Sequence, residues 1–395
     1  MKPRLSGLFA FARFSSRSNL LRKGLLALGS TTLSLLLVEV GLRTWAPLAP
    51  ELAIHLRRRP DPLLGWRFEP NLNVVLRKPG FEVRVTTNSR GFRDTEHQLA
   101  RSGFRVVILG DSFMEGIQVD RTAAFPSRLS AHLEDAYLGP VETINLGVSG
   151  FGTLQESLAY ETEGDRYHPD LVLLAFYLHN DLIDNSKELE ADLQRQPVHR
   201  PYLDRDGAIA APDFSEATRA FETTRRELTW RLWGLLQSVR TRQRQSKEVR
   251  RDGALVAYSC EEMPPVLRGW AQTARILDRL KGAAERGGSR LAVFSVPSRL
   301  EVDRGYRKGA LAGLSRGFCF DQPPGWSRLE GLLAARSIPY VDLRPAFRQA
   351  EEASPAPDLF AADDDHWNGA GHELAAATVA FAVKGWRARR SPKPP

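Results

Sequence analysis

Five short apolar runs recur along the chain after residue 103, and helix-like stretches separate them. Each run is nearly continuous in apolar residues rather than alternating with polar ones. Strands of a parallel sheet have this pattern because helices cover both of their faces. The pattern predicts a doubly wound α/β fold with a parallel sheet in a three-layer α/β/α arrangement. The predicted strands are FRVVILG, VETINLG, LVLLAFYL, RLAVFSV and IPYVDL, and the predicted helices lie at about 125–137, 153–163, 266–286 and 326–336.

An apolar stretch of a different kind precedes this region. Residues 24–42 contain Glu39 as their only ionisable residue, and the stretch is close to the ~20 residues that a bilayer core requires. Six basic residues precede it and only Arg43 follows closely. The positive-inside rule then places the N-terminus in the cytoplasm and the rest of the chain outside. The Pro-rich sequence that follows has no clean small-x-small site, which favours an uncleaved anchor over a cleaved signal peptide.

The segments between these two patterns complete the predicted organisation. The run FEVRVTTNSRGFRD alternates apolar and polar residues and ends in turn-forming ones, which predicts a short strand and a turn.

Residues 184–262 interrupt the strand and helix alternation, and we expect a long helix there from about Ser215 to Arg250. We interpret this insert as a lid or packed insert rather than a membrane-surface helix. The predicted divisions are a basic cytoplasmic N-terminus (1–23), a transmembrane anchor (24–42), a juxtamembrane linker with a short β segment (43–103), the main domain (104–384) and a basic tail (385–395).

The distribution of charge argues against a nucleic-acid-binding protein. The formal net charge is +8 at pH 7. Seven basic residues and one acidic residue lie in the first 50 positions, and five basic residues lie in the tail from residue 384 onward. The rest of the chain is therefore close to neutral, so the predicted domain has no compositional sign of a basic groove.

Polar residues or glycines follow the ends of the predicted strands. Ser112 comes just after the first strand, Gly150 lies in the GVSGFG turn after the second, and Asn180 follows the third. A loop with three consecutive acids and His366 precedes a C-terminal helix. Ligands of open parallel sheets bind outside the carboxyl ends of the strands. We therefore expect these groups to meet in one site.

Together these residue types predict nucleophilic catalysis on an ester. Ser112 is the candidate nucleophile, and His366 is the candidate base that takes its proton. Asp363, three residues earlier, is placed to orient the imidazole. The backbone N–H groups of Ser112 and Gly150 and the side-chain amide of Asn180 are the candidate oxyanion donors.

Four blocks of this sequence resemble those of the SGNH hydrolase superfamily, also called GDSL esterases and lipases. They are GDSF at 110–113, NLGVSG at 145–150, YLHND at 177–181 and DDDHWN at 363–368. The resemblance implies a flavodoxin-like sheet, with Ser112 as nucleophile, Gly150 and Asn180 in the oxyanion hole, and Asp363 and His366 completing the triad.

The chain departs from the family pattern at two places. His179 precedes Asn180 where the family often has glycine. Asp364 would instead fit the DxH pair of related polysaccharide O-acetyltransferases, so it is the alternative triad acid. The region TTNSRGFRD and the single apolar span resemble membrane-anchored bacterial members of the superfamily.

The expected function is that of a membrane-anchored extracytoplasmic serine esterase that cleaves acyl esters, with O-acetyl esters expected. An O-acyltransferase acting on envelope or exported polysaccharide through the same site is the alternative, and a catalytically silent carbohydrate-binding or assembly protein is a further one. The expected partners are an acyl ester substrate, in some cases an acylated carbohydrate, and the membrane. We expect no nucleic acid, no cofactor and no metal. A metal site formed by four acids and histidines of the C-terminal region is disfavoured: Asp363, Asp365, His366 and His372.

The two cysteines of the chain, Cys260 and Cys319, both lie on the predicted outer side. An oxidising compartment permits a disulfide between them. Their spacing alone does not distinguish a disulfide from two buried thiols.

Overall fold

The computed structural model divides the chain into two compact units. One comprises Met1–Leu56 and Glu222–Arg244, and the other comprises Arg57–Phe221 and Gln245–Pro395. The structure describes residues 9–45, 58–78, 81–101, 103–134, 140–192, 199–216, 218–219, 222, 230, 255–261, 263–311, 317–353, 357–362 and 365–388.

In the part of the first unit that the structure describes, residues 9–45 form one long helix, α1 (Phe9–Trp45). Its Leu21–Thr44 stretch is long and apolar enough to cross a membrane. Glu39, the one acid in the stretch, pairs with Arg43 one turn later, with Oε1 of Glu39 2.9 Å from Nε of Arg43. Most of the predicted Ser215–Arg250 helix lies outside the described residues.

A five-stranded parallel sheet forms the centre of the second unit. Its strands are β5 (Phe104–Leu109), β6 (Val141–Asn145), β7 (Leu171–Phe176), β10 (Arg290–Ser295) and β11 (Tyr340–Val341), and their spatial order is β11-β10-β7-β5-β6. All five predicted strands are confirmed. The order corresponds to 2-1-3-4-5, which is the flavodoxin-like arrangement. All six residues of β7, the central strand, are buried, which explains why its sequence has no polar alternation.

Helices cover both faces of this sheet, so the predicted three-layer fold is also confirmed. One apolar cluster joins one face to three helices, which are α3 (Phe125–Glu134), α11 (Arg344–Glu351) and α12 (Gly369–Ala388). A second cluster joins the other face to α4 (Thr153–Ala159), α7 (Pro264–Arg286) and α10 (Pro324–Ala335). The other α-helices of the described residues are short: α2 (Ser112–Glu115), α5 (Leu178–Asp184), α6 (Lys187–Asp192), α8 (Arg299–Val302) and α9 (Arg304–Ala310).

Residues upstream of the sheet form two antiparallel ladders. Strand β1 (Arg58–Asp61) pairs with β2 (Gly65–Phe68), and β3 (Asn73–Lys78) pairs with β4 (Phe81–Thr86). The predicted strand and turn at 81–94 correspond to β4 and the loop that follows it. These ladders belong to the same compact unit as the parallel sheet. Strands β8 (Tyr202–Leu203) and β9 (Ile209–Ala210) form a short hairpin in the insert.

The structure settles the state of the two cysteines. Cys260 and Cys319 form a disulfide across a sequence separation of 59 residues. Two backbone hydrogen bonds support the crosslink, from Cys260 N–H to Gly317 O and from Cys319 N–H to Tyr258 O. The disulfide therefore joins the end of the insert to the segment before α10.

Candidate active site

Ser112 lies where the buried strand β5 turns sharply into α2. Gly110 permits this turn, because a Cβ atom there would lie 2.4 Å from Cγ of Met114. Asp111 caps α2, and its carboxylate accepts a hydrogen bond from the backbone N–H of Phe113 at 3.0 Å. Capping of this kind satisfies a backbone donor that the helix leaves unpaired. The strand thus delivers the Ser112 hydroxyl at a rigid, well-bonded position.

His366 approaches this hydroxyl from the C-terminal loop. Its Nε2 lies 2.6 Å from Oγ of Ser112, which is within hydrogen-bonding distance for a base and its nucleophile. Asn368 fixes the loop by accepting hydrogen bonds from the backbone N–H groups of Ala370 and Gly371 at the start of α12. The ring of Phe113 lies 4.8 Å from the His366 ring, centroid to centroid. The imidazole is therefore held on two sides.

Asn180 contacts the residue beside Ser112. It lies in the first turn of α5, and its Nδ2 donates to Oδ2 of Asp111 at 2.8 Å. Asp111 is completely buried, and burial raises the pKa of its carboxyl group, while the N–H of Phe113, the charge of His366 and the Asn180 amide act in the opposite direction. One of the two amide hydrogens of Asn180 is used in this contact. Among the described residues the second amide hydrogen has no acceptor, so it is available to a substrate oxygen.

Gly150 occupies a turn that only glycine adopts easily, with φ of +79°. Its carbonyl oxygen accepts a hydrogen bond from Arg200 Nη1 at 3.1 Å. Within the described residues, the backbone N–H groups of Gly150 and Ser112 form no hydrogen bond with another part of the chain. Both groups are thus available as donors to a bound ligand.

The remaining predicted site residues differ in how far the structure describes them. Asp363 and Asp364 lie outside the described residues, so the identity of the orienting acid stays a prediction. Asp365 is exposed. His372 lies in α12, and its Nδ1 accepts a hydrogen bond from the backbone N–H of Phe125 at 3.3 Å. The described residues contain no group of three or more His, Cys, Asp or Glu side chains arranged to hold a metal ion.

Sequence reasoning missed two buried carboxyl groups near the site, Glu156 and Asp181. Both are completely buried, and burial raises the pKa of each well above its usual value. The charge of Asp181 raises the pKa of Glu156 further, and the charge of Asp111 does so for Asp181. Two buried acids that repel each other in this way favour protonated forms. Only their position within a folded core reveals this, because Glu156 lies outside the four blocks and the YLHND block, which contains Asp181, does not show that this acid is buried.

A second group of missed residues holds the backbone around Ser112 and Gly150. Arg93 is 2% exposed, and its guanidinium donates to three carbonyl oxygens at the end of α2 and in the loop after it, those of Glu115, Gly116 and Val119. The carboxylate of Glu115 accepts from the backbone N–H of Ser149. Arg93 lies in the TTNSRGFRD region upstream of the sheet, and its buried position gives that region a structural role.

The fold and these contacts define a serine and histidine site at the carboxyl ends of a flavodoxin-like sheet. A family model described as GDSL-like lipase/acylhydrolase matches residues 106–206. A second, described as the SGNH hydrolase-like domain of the acetyltransferase AlgX, matches residues 261–393. The chain belongs to the SGNH hydrolase superfamily and is an SGNH-type hydrolase.

Solved structures of known proteins are similar to this chain at low identity. The acetyl xylan esterase AlAXEase is 13% identical, with 73% of this chain and 100% of that one covered and a TM-score of 0.38. A lipase/acylhydrolase from Enterococcus faecalis is 14% identical, with 74% and 100% covered and a TM-score of 0.36. No curated protein matches the sequence.

Proposed function

We propose that this chain is a membrane-anchored, extracytoplasmic serine esterase that cleaves acyl esters, acetyl esters among them. The observation that carries the proposal is the 2.6 Å contact between Ser112 Oγ and His366 Nε2. It lies beside Asn180, which is bonded to the residue preceding Ser112. A nucleophile, its base and a candidate oxyanion donor are thus found together at one edge of the sheet.

The proposed reaction begins with attack of Ser112 Oγ on the ester carbonyl carbon, while His366 Nε2 takes the hydroxyl proton. The carbonyl oxygen becomes an oxyanion and accepts hydrogen bonds from the N–H groups of Ser112 and Gly150 and from Asn180 Nδ2. The bond to the alcohol then breaks, and His366 returns the proton to the leaving oxygen. Asp363, with Asp364 as the alternative, is proposed to hold the other imidazole nitrogen.

Water completes the proposed cycle. It attacks the acyl group on Ser112 and gives one proton to His366. The carboxylic acid is released when the acyl bond to Ser112 breaks, and Oγ regains its proton from His366. The enzyme thus returns to its starting state with one ester and one water consumed.

Anchoring and location are supported by two independent features. Leu21–Thr44 is apolar and long enough to cross a membrane, and the basic residues before it favour a cytoplasmic N-terminus. The disulfide between Cys260 and Cys319 is of a kind that persists in oxidising compartments. Both features support placement of the second unit on the extracytoplasmic side.

A second candidate function uses the same acyl-serine. The match of residues 261–393 to the acetyltransferase AlgX domain favours an O-acyltransferase, in which a sugar hydroxyl replaces water as the acceptor. The two functions share every step up to the acyl-enzyme. They differ only in which hydroxyl reaches it. The silent binding protein is less well supported, because the Ser112 and His366 contact is intact.

The test uses the full-length protein in detergent with p-nitrophenyl acetate and longer acyl esters. Ser112→Ala should abolish turnover and the mass increase of one acyl group, whereas Ser127→Ala, at a half-buried serine of α3, should retain both. Addition of candidate glycans then separates the two acceptors, since a transferase yields acylated glycan. Wild-type turnover in Ser112→Ala would refute the proposed nucleophile.

A further inference from the structure

The turn that carries Gly150 is held by side chains outside the four sequence blocks that define the family. Trp66, in β2, donates from its indole Nε1 to the carbonyl oxygen of Ser149 at 3.2 Å. Arg200, after α6, donates to the carbonyl oxygen of Gly150 at 3.1 Å. The two successive carbonyl groups of the turn are therefore each bonded to a side chain from a distant segment.

The Trp66 contact fixes the direction of the Gly150 N–H group. The carbonyl of Ser149 and the N–H of Gly150 belong to one planar, trans peptide unit, in which they point in opposite directions. An indole that holds this carbonyl therefore turns the Gly150 N–H away from Trp66. The ring also lies close against Gly150, since a Cβ atom at that position would be 3.3 Å from Cζ2 of Trp66.

Arg200 supports both Trp66 and the neighbouring oxyanion donor. Its guanidinium lies 5.6 Å above the Trp66 ring, which is the geometry of a cation–π contact. It also pairs with Asp184 at 2.9 Å. Asp184 ends α5, the helix whose first turn carries Asn180. Arg200 thus connects the Gly150 turn with the helix of Asn180.

Burial makes these contacts rigid. Trp66 is 5% exposed and Arg200 is 6% exposed. Glu190 provides a second acidic neighbour for Arg200 at 3.7 Å. The planar guanidinium loses little conformational entropy for each hydrogen bond that it forms, so several partners can hold it in one position. Neither residue contacts Ser112 or His366 in the described hydrogen bonds, so their influence on catalysis would pass through the turn.

We propose that Trp66 and Arg200 are positioning residues that aim the Gly150 N–H at the oxyanion formed on the substrate. This inference rests on the proposed function, since it assigns a role within the same ester-cleaving site. A donor that shifts by about 1 Å loses much of its effect on the transition state. Binding of the uncharged ester depends less on this donor, because the negative charge develops only during the reaction.

The test compares Trp66→Phe, Arg200→Lys and a matched control, Trp326→Phe. Trp66→Phe keeps an aromatic ring and removes the indole N–H. Arg200→Lys keeps a positive charge beside Asp184 and Glu190 and loses the planar fork. Trp326 is buried, and its indole N–H donates to Glu301, so Trp326→Phe removes an equivalent bond away from Gly150.

Three quantities are measured on the full-length protein in detergent: kcat per active serine, KM, and affinity for a trifluoromethyl ketone that forms a tetrahedral adduct. We expect Trp66→Phe and Arg200→Lys each to lower kcat by about 10- to 100-fold. This fall is at most about as large as the one caused by removal of a whole oxyanion donor. KM should change less than threefold, and affinity for the ketone should fall by the same factor as kcat. Trp326→Phe should retain the wild-type kcat.

The outcomes separate the two proposals. If both variants have a lower melting temperature but a kcat within threefold of wild type, Trp66 and Arg200 are structural and the inference is wrong. An equal fall of kcat in the Trp326→Phe control would overturn it as well. If the wild-type protein itself shows neither Ser112-dependent turnover nor an acyl adduct, the proposed function fails and the inference fails with it.

Discussion

His372 provides a quantitative test of the structure through the pH dependence of stability. Burial lowers the pKa of this histidine from 6.5 to about 3, and the positive charges of Arg93 and His366 act in the same direction. Its Nδ1 accepts the backbone N–H of Phe125, so the folded protein keeps the ring neutral. The unfolded chain, in contrast, takes up a proton near the ordinary pKa of about 6.5.

The sign of the effect follows from this difference. Above about pH 6.5 neither state binds the proton, and the full stability is present. As the pH falls towards 3, the unfolded state binds a proton that the folded state does not, and stability is lost at about 1.4 kcal/mol per pH unit. At about pH 5 the loss from this residue should reach about 2 kcal/mol.

Other buried groups change stability in the opposite direction. Glu156 and Asp181 have raised pKa values, so they favour the folded state as the pH falls. The experiment therefore measures a difference between variants. His372→Asn retains an acceptor for the Phe125 N–H and cannot take up the proton. The unfolding free energy of each protein is measured by urea unfolding at about pH 7.5 and at about pH 5. Between these two pH values, wild type should lose about 2 kcal/mol more than His372→Asn loses.

The control is Ser127→Ala, which changes a half-buried serine of α3 and no titratable group. It should lose as much stability as the wild type between the two pH values. If His372→Asn also loses as much as the wild type, to within about 0.5 kcal/mol, then His372 is not held neutral by burial and the reasoning is refuted.

Two further predictions concern the oxyanion donor and the crosslink. Asn180→Ala should lower kcat by roughly 10² to 10³, the effect of removing one oxyanion donor, as measured with p-nitrophenyl acetate; a loss below threefold would make Asn180 structural. The double variant Cys260→Ala/Cys319→Ala should lower the unfolding free energy by about 4 kcal/mol, because the disulfide closes a separation of 59 residues. Urea unfolding without reductant checks this, and an unchanged midpoint contradicts it.

The sheet was predictable from the sequence because both of its faces are buried under helices. Residues 171–176 are all buried, so the run LVLLAF leaves no polar position that a helix or an exposed strand would require. The positions of Ser112 and Asn180 followed from the rule that loops after parallel strands meet at one edge. The contact of Ser112 with His366 was then expected from topology and chemistry, whereas the hydrogen bond from Asn180 to Asp111 was not predicted.

The residues that support the site were not predictable in the same way. Trp66 and Arg200 are separated from Gly150 by long stretches of chain, and each is an ordinary residue in its local sequence. Their role depends on hydrogen bonds to backbone carbonyl groups, and a carbonyl acceptor has no sequence signature. The pairing of Cys260 with Cys319 was not predictable for a related reason, since spacing does not determine whether two thiols meet.

The location of Trp66 and Arg93 determines how the enzyme can be shortened. A truncation that starts at residue 104 would retain all four sequence blocks and every proposed catalytic residue. It would nevertheless remove the indole that holds Ser149 and the guanidinium that binds the end of α2. A soluble version freed from its apolar helix should therefore begin between Trp45, where α1 ends, and Arg58, where β1 begins.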